Sequence, residues 1–337
     1  MGDFEMEEKC KSLSSCNILV TGGAGFIGSN LVETLLANGN KVRVLDNFST
    51  GKRENIAPFL SNRDFTLQEG DIRNMEDCRK AVEGTDIVFH EAALGSVPRS
   101  VKDPGTTADV NIGGFVHILQ ACRDAKVKRV LYASSSSVYG DSPTLPKVEN
   151  ATGKPLSPYA ITKSVNELFA ENFHDLFGME IIGLRYFNVF GKRQDPEGEY
   201  AAVIPRFAAS LIARKSPVIH GDGSQSRDFT HVKNVVSANI LGALAGKESC
   251  NQVYNVACGT RTTLLELFTI LRRELANFDP EIAAIEPEFA APRQGDIPHS
   301  LASTEKAETL LGYKNPISFE EGLQLAAKWY FKTLKNG

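Results

Sequence analysis

The sequence predicts an α/β protein with a doubly wound parallel sheet in its first half and a smaller α/β lobe in its second half. Three observations support this prediction. Short apolar runs alternate with segments of helical periodicity to about residue 190, a glycine-rich turn follows the first of these runs, and the second half is less regular. Such alternation is typical of βαβ units, whose strands lie parallel in one sheet.

The apolar runs and helical segments define the predicted elements in chain order. Strands are predicted at residues 17–21, 41–45, 65–68, 86–90, 128–133 and 180–186. Helices are predicted at residues 26–37, 75–83, 106–125, 157–177, 202–214, 232–245, 263–275 and 319–334. Clusters of Gly, Pro and polar residues predict breaks at 191–200 and 221–226.

Composition and charge exclude several classes of protein. The chain has 337 residues, a formal net charge of −4 and a pI near 5.9, so no basic field predicts a nucleic-acid partner. No apolar run reaches the length of a membrane span, and the polar N-terminus lacks the apolar core of a secretory signal, so a cytoplasmic protein is expected. The six cysteines form no C-x-x-C pair, which argues against a metal site.

The most specific local motif is the glycine turn after the first predicted strand. Gly22, Gly25 and Gly28 are spaced three residues apart between that strand and the next helix. Gly22 allows a sharp turn, Gly25 allows backbone N–H groups to approach a pyrophosphate, and Gly28 lets the helix pack closely on the sheet. The N-terminus of the helix supplies partial positive charge and free donors. The motif therefore predicts a dinucleotide site.

Two acids at the ends of the next strands suit the same site. Asp46 ends the second strand, about 20 residues after the turn, where an acid can bind the ribose hydroxyls of an adenosine. Its charge would repel a 2′-phosphate, so NAD is expected rather than NADP. Asp71 and Ile72 end the third strand, at a position that suits the adenine edge, although Asp71 also suits a helix N-cap.

A tyrosine, a lysine and a run of serines are candidates for the chemistry. Tyr159 and Lys163 lie four residues apart at the start of a predicted helix, which places the phenol and the ammonium on one face. The cation is expected to lower the pKa of the tyrosine, which makes Tyr159 a usable base near neutral pH. Four serines at 134–137 follow the fifth strand, at the sheet edge where ligands bind in such folds, and one of their hydroxyls could bond the same substrate oxygen.

Together these motifs resemble the extended short-chain dehydrogenase/reductase family, whose fold is a Rossmann-type sheet with a smaller α/β substrate-binding lobe. The resemblance runs from about residue 16 to the C-terminus and rests on residues 21–28, 46–51, 134–140, 159–163 and 185–188. Within the family, the chain resembles UDP-hexose 4-epimerases. Its segments 90–100, 156–159 and 200–205 are similar to those of the UDP-N-acetylglucosamine 4-epimerases.

The resemblance implies a role for each matching position. Tyr159 would be the acid/base, Lys163 would hold the nicotinamide ribose and tune Tyr159, and Ser135 would be the catalytic serine. Together with the glycine turn and its acids, the positions expected to bind NAD are Gly22, Gly25, Phe26, Ile27, Gly28, Asp46, Asn47, Ser49, Thr50, Gly51, Asp71, Ile72, Ala92, Ala93, Asn111, Tyr159, Lys163 and Tyr186. The positions expected to bind a UDP-sugar are Ser96, Ser136, Ser137, Asn188, Val203, Arg227, Arg293, Asp296 and Ser300.

The domain organisation is predicted from the same patterns. Residues 1–15 are expected to be a polar lead-in and residues 16–190 the NAD-binding domain, to which segments near 226–257 return. Residues 191–225 and 258–337 are expected to form mainly the lobe that binds the UDP-sugar.

Two departures from related patterns distinguish the chain from neighbouring classes of enzyme. The sugar-nucleotide 4,6-dehydratases carry Asp-Glu after the catalytic Ser/Thr, whereas this chain has Ser136 and Ser137, which disfavours dehydration. The galactose epimerases often carry a bulky Tyr at the position of Ser300. A small residue there leaves room for a 2-acetamido group.

The expected activity is therefore that of an NAD-dependent isomerase, which inverts C4 of a UDP-N-acetylhexosamine (UDP-GlcNAc to and from UDP-GalNAc) through a transient 4-keto sugar. A UDP-hexuronic acid 4-epimerase or a UDP-glucose 4-epimerase is the nearest alternative. A net dehydrogenase or dehydratase and a non-catalytic NAD-sensing protein are further alternatives. A homodimer is expected, because members of the family usually associate through a four-helix bundle, for which the helices at 106–125 and 157–177 are the candidates.

Overall fold

A parallel sheet of seven strands forms the centre of the protein. A computed structural model describes residues 13–196, 202–292 and 299–335. The strands in chain order are β1 (Asn17–Thr21), β2 (Lys41–Asp46), β3 (Phe65–Glu69), β4 (Ile87–His90), β5 (Arg129–Ser135), β6 (Glu180–Tyr186), β7 (Val189–Phe190), β8 (Val218–His220), β9 (Ser226–Arg227), β10 (Thr230–His231), β11 (Gln252–Val256), β12 (Thr262–Thr263) and β13 (Glu288–Ala290). The order in the sheet is β11-β6-β5-β4-β1-β2-β3, and every neighbouring pair is parallel.

Helices connect the strands and build the second half. They are α1 (Phe26–Ala37), α2 (Arg53–Ile56), α3 (Met75–Val82), α4 (Val97–Lys102), α5 (Pro104–Ala108), α6 (Gly114–Asp124), α7 (Pro158–Phe177), α8 (Val203–Ile212), α9 (Val232–Leu244), α10 (Leu264–Ala276), α11 (Glu305–Leu310) and α12 (Phe319–Leu334). A π-helical turn, Asp109–Gly113, joins α5 to α6. No helix of the described residues is both long enough and apolar enough to cross a membrane.

The sheet has a core on each of its faces, because successive side chains of a strand point to opposite sides. In β1, Ile18 and Val20 belong to a cluster that includes residues of α1 and α9. Leu19, between them, belongs to a second cluster with residues of α3, α6 and α7. All three side chains are at most 1% exposed. Burial on both faces explains why the sheet strands are nearly continuous apolar runs in the sequence.

A separate core fills the second half of the chain. Phe207 of α8, Leu271 of α10 and Leu323 of α12 belong to one buried cluster, which also includes Phe190 at the end of β7. Three short strand pairs, β7 with β10, β9 with β12 and β8 with β13, accompany these helices. This second core therefore begins within a few residues of the end of β6.

The chain returns to the central sheet after residue 230. Of the 13 residues of α9, 11 are buried, which is typical of an interior helix. A Cβ on Gly242 of α9 would lie 2.7 Å from the side chain of Leu131 in β5, so the helix packs directly on the sheet. The chain then enters β11, which pairs with β6 from Gln252 beside Ile182 to Val256 beside Tyr186.

The structure confirms the doubly wound sheet and places all six predicted strands and seven of the eight predicted helices within two residues of their expected ends. The helix predicted at 106–125 is instead divided into α5, the π-helical turn and α6. The sequence does not predict β11, because Gln252 and Asn255 interrupt its apolar pattern. Asn255 is nevertheless fully buried, since its amide donates to the backbone carbonyls of Lys147 and Ser303. The boundaries of the two domains stay a prediction.

Candidate active site

The turn after β1 depends on glycines, because a Cβ atom at these positions would collide with neighbouring backbone atoms. Gly22 has a positive φ of 69°, and a Cβ there would lie 2.7 Å from backbone atoms of Ala92. A Cβ on Gly28 would lie 2.2 Å from the carbonyl oxygen of Gly22, which is far inside van der Waals contact. The N–H of Gly25 donates to the same carbonyl at 3.0 Å. The turn therefore holds the start of α1 against the end of β1.

The N-terminus of α1 has the properties of an anion site. Its N-cap, Gly25, has no side chain that could accept from the first N–H groups, and the first turn contains no acid. Gly25, Phe26, Ile27 and Gly28 all line the adjoining cavity. A pyrophosphate placed there would meet free N–H donors and the positive end of the helix dipole.

A cavity of about 560 Å³ extends from this turn to the carboxyl ends of β4, β5 and β6. It is lined by most of the residues predicted to bind NAD, namely Gly22, Gly25, Phe26, Ile27, Gly28, Asp46, Asn47, Ser49, Thr50, Gly51, Asp71, Ile72, Ala92, Ala93, Tyr159, Lys163 and Tyr186. Ser135, Ser136, Ser137 and Asn188 line the same cavity. The fold thus brings the glycine turn and the candidate catalytic residues to one space.

Asp46 is tied to the glycine turn through its carboxylate. Its Oδ2 accepts from the N–H of Ala24 at 2.8 Å and its Oδ1 from the N–H of Phe48 at 2.8 Å. Burial raises the pKa of this carboxyl, and the two hydrogen bonds act in the opposite direction. Each carboxylate oxygen has a second lone pair, so Asp46 can also accept bonds from ribose hydroxyls.

Asp71 lines the cavity but is strongly bound by its neighbours. Its Oδ2 accepts from the guanidinium of Arg73 at 2.7 Å and from the amide of Asn47 at 2.8 Å. Hydrogen bonding by Arg73 holds the pKa of Asp71 well below its usual range. The N-cap of α3 is Asn74, so the alternative prediction of Asp71 as a helix cap is wrong.

Asn111 lies behind the cavity wall, contrary to the prediction that it lines the cofactor. It is 1% exposed. Its Oδ1 accepts from the N–H of Leu94 at 2.8 Å, and its Nδ2 donates to the hydroxyl of Thr162 at 3.1 Å. Asn111 therefore fixes the loop after β4 against α7 and supports the cofactor wall from outside.

The three candidate catalytic residues converge at the other end of the cavity. The Nζ of Lys163 donates to the carbonyl oxygen of Ala133 at 2.7 Å and lies 6.0 Å from the centre of the Tyr159 ring. The hydroxyl of Ser135 accepts from the N–H of Ser137 at 3.1 Å. The side chain of Ser135 also acts on the Tyr159 hydroxyl, in the direction that lowers the pKa of the tyrosine. A substrate hydroxyl beside Tyr159 would therefore also be within reach of Ser135.

Burial determines the protonation of the tyrosine and the lysine. Burial raises the pKa of Tyr159, and the hydrogen bond with Ser135 acts in the opposite direction. The pKa of Tyr159 is therefore raised, whereas the sequence predicts that Lys163 lowers it, and burial is the largest cause of the observed direction. Burial also lowers the pKa of Lys163 to about 8, against the opposing effects of Glu91 and Glu167.

The start of α7 is positioned by two serines. Ser157 caps the helix by accepting from the N–H of Ala160 at 3.1 Å. The N–H of Tyr159 donates to the hydroxyl of Ser100, which lies on α4, at 3.0 Å. No role for Ser100 is predicted from the sequence, because only the folded chain brings α4 beside α7.

The four serines after β5 have different surroundings. The hydroxyl of Ser134 donates to Glu167, so it is turned away from the candidate substrate oxygen. The buried hydroxyl of Ser137 has no hydrogen-bond partner among the described residues, and Ser137 lines the cavity. Such a buried hydroxyl is available to bond a substrate group.

Two further cavities adjoin the first. One, of about 290 Å³, is lined by Asn188, Val203 and Arg227. The other, of about 570 Å³, is lined by Asn188, Arg227, Ser300 and the pair Ser136 and Ser137. Asn188 lines all three cavities. Its Nδ2 donates to the carbonyl oxygen of Asp228 at 2.9 Å and lies 3.4 Å from the hydroxyl of Ser300, so several predicted substrate residues gather around Asn188.

Three predicted substrate residues are not placed in these cavities. Ser96 is the N-cap of α4, where its hydroxyl accepts from the N–H of Arg99 at 3.2 Å. Its neighbours Gly95 and Val97 line the first cavity. Ser96 itself lines none of these three cavities, so the structure does not support a direct contact between Ser96 and the sugar. Arg293 and Asp296 lie outside the described residues.

Glu91 lines the first cavity and is missed by the sequence prediction. Its Oε1 accepts from the hydroxyl of Tyr186 at 2.7 Å. Burial raises the pKa of Glu91 to about 7, against the opposing effects of the Tyr186 hydrogen bond and of Lys163. The only available signal in the sequence is its position at the end of β4, directly before Ala92.

A short segment of residues 192–195, here called the strap, closes one side of the first cavity. Lys192 and Arg193 both pair with Glu33 of α1, at 2.9 and 3.0 Å. Asp195 pairs with Lys52 at 3.0 Å. Gln194, between these anchors, lines the cavity, and this role is not predicted from the sequence.

The chain matches a known protein family over most of its length. The sequence model of the NAD dependent epimerase/dehydratase family matches residues 18–257. The chain is also 38% identical over 313 residues to a putative UDP-glucose 4-epimerase of Methanocaldococcus jannaschii, with 93% of this chain and 97% of that protein covered.

Two solved structures are similar to the whole fold. A UDP-N-acetylglucosamine 4-epimerase of Methanobrevibacter ruminantium, solved with UDP-N-acetylmuramic acid, has a TM-score of 0.87 and 40% identity, with 95% of this chain and 99% of that chain covered. A UDP-glucose 4-epimerase of Thermotoga maritima, solved with UDP-glucose, has a TM-score of 0.86 and 38% identity, with 94% and 99% covered.

Proposed function

Because the chain belongs to the NAD-dependent epimerase/dehydratase family, we propose that it inverts C4 of a UDP-sugar and that its sugar is an N-acetylhexosamine. The observation that carries this proposal is the cavity shared by the glycine turn, Ser135, Tyr159 and Lys163. A dinucleotide held at the turn would extend toward the tyrosine, which is the arrangement that a sugar oxidation requires.

The residues of the cavity suit NAD. The free N–H groups of α1 would hold the pyrophosphate and Asp46 the adenosine ribose. Lys163 would donate to the nicotinamide ribose. The chemistry that NAD would supply when bound is reversible hydride transfer at C4, and its positive charge would favour the phenolate of Tyr159.

The two adjoining cavities suit a UDP-sugar. Arg227 lines both, and a guanidinium is well matched to diphosphate oxygens. Val203 lines the smaller cavity, which would take the uridine. Arg293 and Asp296 are expected to complete the diphosphate and ribose contacts by the family resemblance.

The side chains around C4 would perform the proton transfers. Tyr159 takes the proton of the C4 hydroxyl as that carbon is oxidised, while Ser135 hydrogen-bonds the same oxygen. The 4-keto sugar stays attached through its UDP and turns over within the larger cavity, of about 570 Å³. Tyr159 then returns the proton after reduction of the opposite face. Firm binding of UDP with loose binding of the sugar is therefore the requirement for inversion.

The small residues of the larger cavity support an N-acetylated sugar. Ser136, Ser137 and Ser300 all line it, which leaves volume for a 2-acetamido group. Ser136 and Ser137 also lack the carboxyl that elimination of water would require. UDP-glucose and UDP-hexuronic acids carry only a hydroxyl at C2, which is smaller than an acetamido group, so the volume argument admits them as alternative substrates.

A homodimer is part of the proposal. Ile161 and Leu168, seven residues apart on α7, are 50% and 64% exposed, and Val101 of neighbouring α4 is 65% exposed. Large apolar side chains grouped on one helical face favour an interaction surface. A second copy of α7 would cover this face as in a four-helix bundle.

The decisive experiment is incubation with UDP-GlcNAc and with UDP-GalNAc in separate reactions, without added NAD. Proton NMR should show the same equilibrium mixture from both sides, because the retained cofactor is regenerated in each turnover. UDP-glucose and UDP-glucuronic acid, tested in parallel, identify the preferred sugar. Absence of C4 inversion with all four sugars, in protein shown to contain NAD, would refute the proposed function.

A further inference from the structure

We propose that Asp228 is a positioning residue, whose carboxylate fastens two separate segments of the chain to β9 and so places Arg227 and Ser300 at the substrate cavities. Asp228 itself lines none of the three cavities described above, so it acts through its neighbours. The inference deepens the proposed function and rests on it for the identity of the ligand, a UDP-sugar.

The carboxylate of Asp228 accepts hydrogen bonds from the backbone of both segments. Its Oδ1 accepts from the N–H of Cys258 at 3.0 Å, and its Oδ2 accepts from the N–H groups of Gly259 at 3.1 Å and Ala302 at 3.2 Å. Asp228 is 0% exposed, so solvent does not compete for these bonds. One side chain thus joins positions that lie 30 and 74 residues away in the sequence.

The backbone of Asp228 contacts the wall of the larger substrate cavity. Its N–H donates to the hydroxyl of Ser300 at 3.3 Å, and its carbonyl oxygen accepts from the amide of Asn188 at 2.9 Å. Ser300 and Asn188 both line that cavity. Asp228 therefore bonds two residues of the wall directly, while its side chain holds the segment to which Ser300 belongs.

Arg227 lies between the two fastened segments. The loop at residues 258–259 leads into β12, which pairs with one edge of β9 so that Thr262 lies beside Arg227. The other edge of β9 forms a bridge between Ser226 and His299. The strand that carries Arg227 is therefore held at both edges, and the carboxylate that follows it bonds the segment on each side.

Removal of acceptors from Asp228 should displace these segments. A buried N–H that loses its acceptor is costly, so the backbone is expected to move until the donor finds another partner. In Asp228→Asn, one carboxylate oxygen is replaced by an amino group, which cannot accept a hydrogen bond. In Asp228→Ala, all three backbone donors lose their acceptor. The displacement of Arg227 and Ser300 should therefore be larger in the alanine variant than in the asparagine variant.

The first test measures the binding of UDP to the holoenzyme and to both variants by calorimetry at pH 8. Burial raises the pKa of Asp228 to about 7, against the opposing hydrogen bonds from the backbone, so the carboxylate is charged at pH 8. Asp228→Asn should raise the dissociation constant of UDP about tenfold, and Asp228→Ala should raise it further. The NAD content should be unchanged, because Asp228 does not line the first cavity.

Turnover and a matched control distinguish positioning from a general loss of structure. In the epimerase assay, Asp228→Asn should raise KM for the UDP-sugar while kcat at saturation stays within about twofold, because Ser135 and Tyr159 keep their places. The control is Asp279→Asn. Asp279 is 9% exposed, accepts from the N–H of Glu281 at 3.3 Å and lines none of the three cavities. Its substitution should leave KM and the dissociation constant of UDP unchanged, even if it lowers stability.

The second test measures the fastening itself, without any UDP-sugar. Hydrogen exchange, read by mass spectrometry of short peptides, should be faster at the amides of Cys258, Gly259 and Ala302 in Asp228→Asn than in the wild type. Asp279→Asn should exchange at these amides as the wild type does. If Asp228→Ala does not fold, both tests are made with Asp228→Asn, which keeps the shape of the side chain.

The outcomes separate this inference from the proposed function. Weaker binding of UDP together with faster exchange supports the positioning role. Unchanged exchange overturns that role, even if C4 inversion is observed, and so does faster exchange with an unchanged affinity for UDP. A wild type that binds no UDP would refute the proposed function, whereas faster exchange in Asp228→Asn would still support the fastening of the two segments.

Discussion

The hydroxyl of Thr21 and the Nδ1 of His90 lie 2.9 Å apart in the protein interior. The contact joins the ends of β1 and β4 directly beneath the glycine turn. The N–H of Ala92 also donates to the Thr21 hydroxyl, at 3.3 Å, so the same threonine supports the cavity wall. His90 is 2% exposed, which makes the protonation of this histidine costly.

His90 is therefore expected to make the protein sensitive to acid. Its pKa is about 3 in the folded chain and about 6.5 in an unfolded one. Between these values the unfolded state binds more protons, so stability falls as pH falls. From pH 6.5 to pH 5 the loss from His90 is about 2 kcal/mol. Denaturant unfolding of the wild type and of His90→Asn, at pH 7 and pH 5, measures it.

The comparison of the two proteins isolates His90. Glu91 acts with the opposite sign, because its pKa of about 7 is raised above the unfolded value and its contribution improves as pH falls. Glu91 is present in both proteins and so cancels in the difference. An equal loss of stability on acidification in both would contradict the role given to His90.

Gly28→Ala should destabilise the protein and abolish NAD binding. The new Cβ would lie 2.2 Å from the carbonyl oxygen of Gly22, so the start of α1 must move away from the turn. A steric clash of this kind costs about 1–3 kcal/mol or more. Thermal unfolding and the NAD content of the purified protein report the two effects.

Gly105→Ala is the matched control for that substitution. A Cβ on Gly105, within α5, would find its nearest neighbour at 3.8 Å, and Ala is favoured over Gly in a helix. We expect unchanged NAD content and equal or slightly higher stability. Equal effects of the two glycine substitutions would mean that the close approach at Gly28 is unimportant.

Tyr159→Phe should nearly abolish turnover, by about 10²–10⁴-fold, because the ring stays while the proton acceptor is lost. The N–H of residue 159 still donates to Ser100, so the start of α7 should keep its place. NAD content should therefore be unchanged. Retention of full activity would exclude Tyr159 as the acid/base, whereas loss of NAD would show a structural effect instead.

Weakening the strap should speed the release of NAD. Glu33→Gln removes the partner of Lys192 and Arg193, and Lys52→Ala removes the partner of Asp195. Exposed ion pairs contribute at most about 1 kcal/mol each. Lys52→Ala, which removes one pair, should raise the dissociation rate by up to about fivefold, and Glu33→Gln, which removes two pairs, should raise it more. NAD retained after gel filtration is the measurement.

Two comparisons test whether charge is responsible. Lys41→Ala removes the same charge as Lys52→Ala, but at the first residue of β2, the end of the strand opposite Asp46. It should not change NAD release. Raising the salt concentration should shrink the differences among the proteins, because it screens surface pairs. A strap variant that releases NAD no faster than Lys41→Ala would disprove the anchoring role.

Leu168→Glu should disrupt the proposed dimer. The side chain is 64% exposed, so the substitution costs little in the single chain but places a charge in the apolar contact. Light scattering after size exclusion should show the mass of one chain, against two for the wild type. Leu310→Glu is a matched control, since Leu310 is an exposed leucine of α11 at 37%. A monomeric wild type would refute the dimer outright.

The sheet could be predicted from the sequence because its strands are buried on both faces. Residues 17–21 and 180–186, for example, are predicted at their observed ends. β11 could not be predicted in the same way, because its buried Asn255 is polar and finds partners on distant segments. α4 is not predicted from the sequence, because it has only six residues, and Pro98 occupies its first turn after the Ser96 cap.

The candidate site was predictable where a motif fixes it locally. The glycine turn and the Tyr159–Lys163 pair are close in sequence, so their geometry follows from one turn and one helix. Asn111 and Glu91 depend on contacts between separate elements, which the sequence does not contain. The direction of the Tyr159 pKa shift also depends on burial, and burial is a property of the folded cavity.

The return of α9 and β11 to the sheet limits how such proteins can be recombined. A fragment ending at residue 190 would uncover Leu131, on which Gly242 packs, and would leave the outer edge of β6 open. The part of the chain after residue 190 is consequently not a unit that can be exchanged at a single junction. A chimaera with altered sugar preference needs several junctions between the two parent sequences, so that α9 and β11 stay with the sheet that they complete.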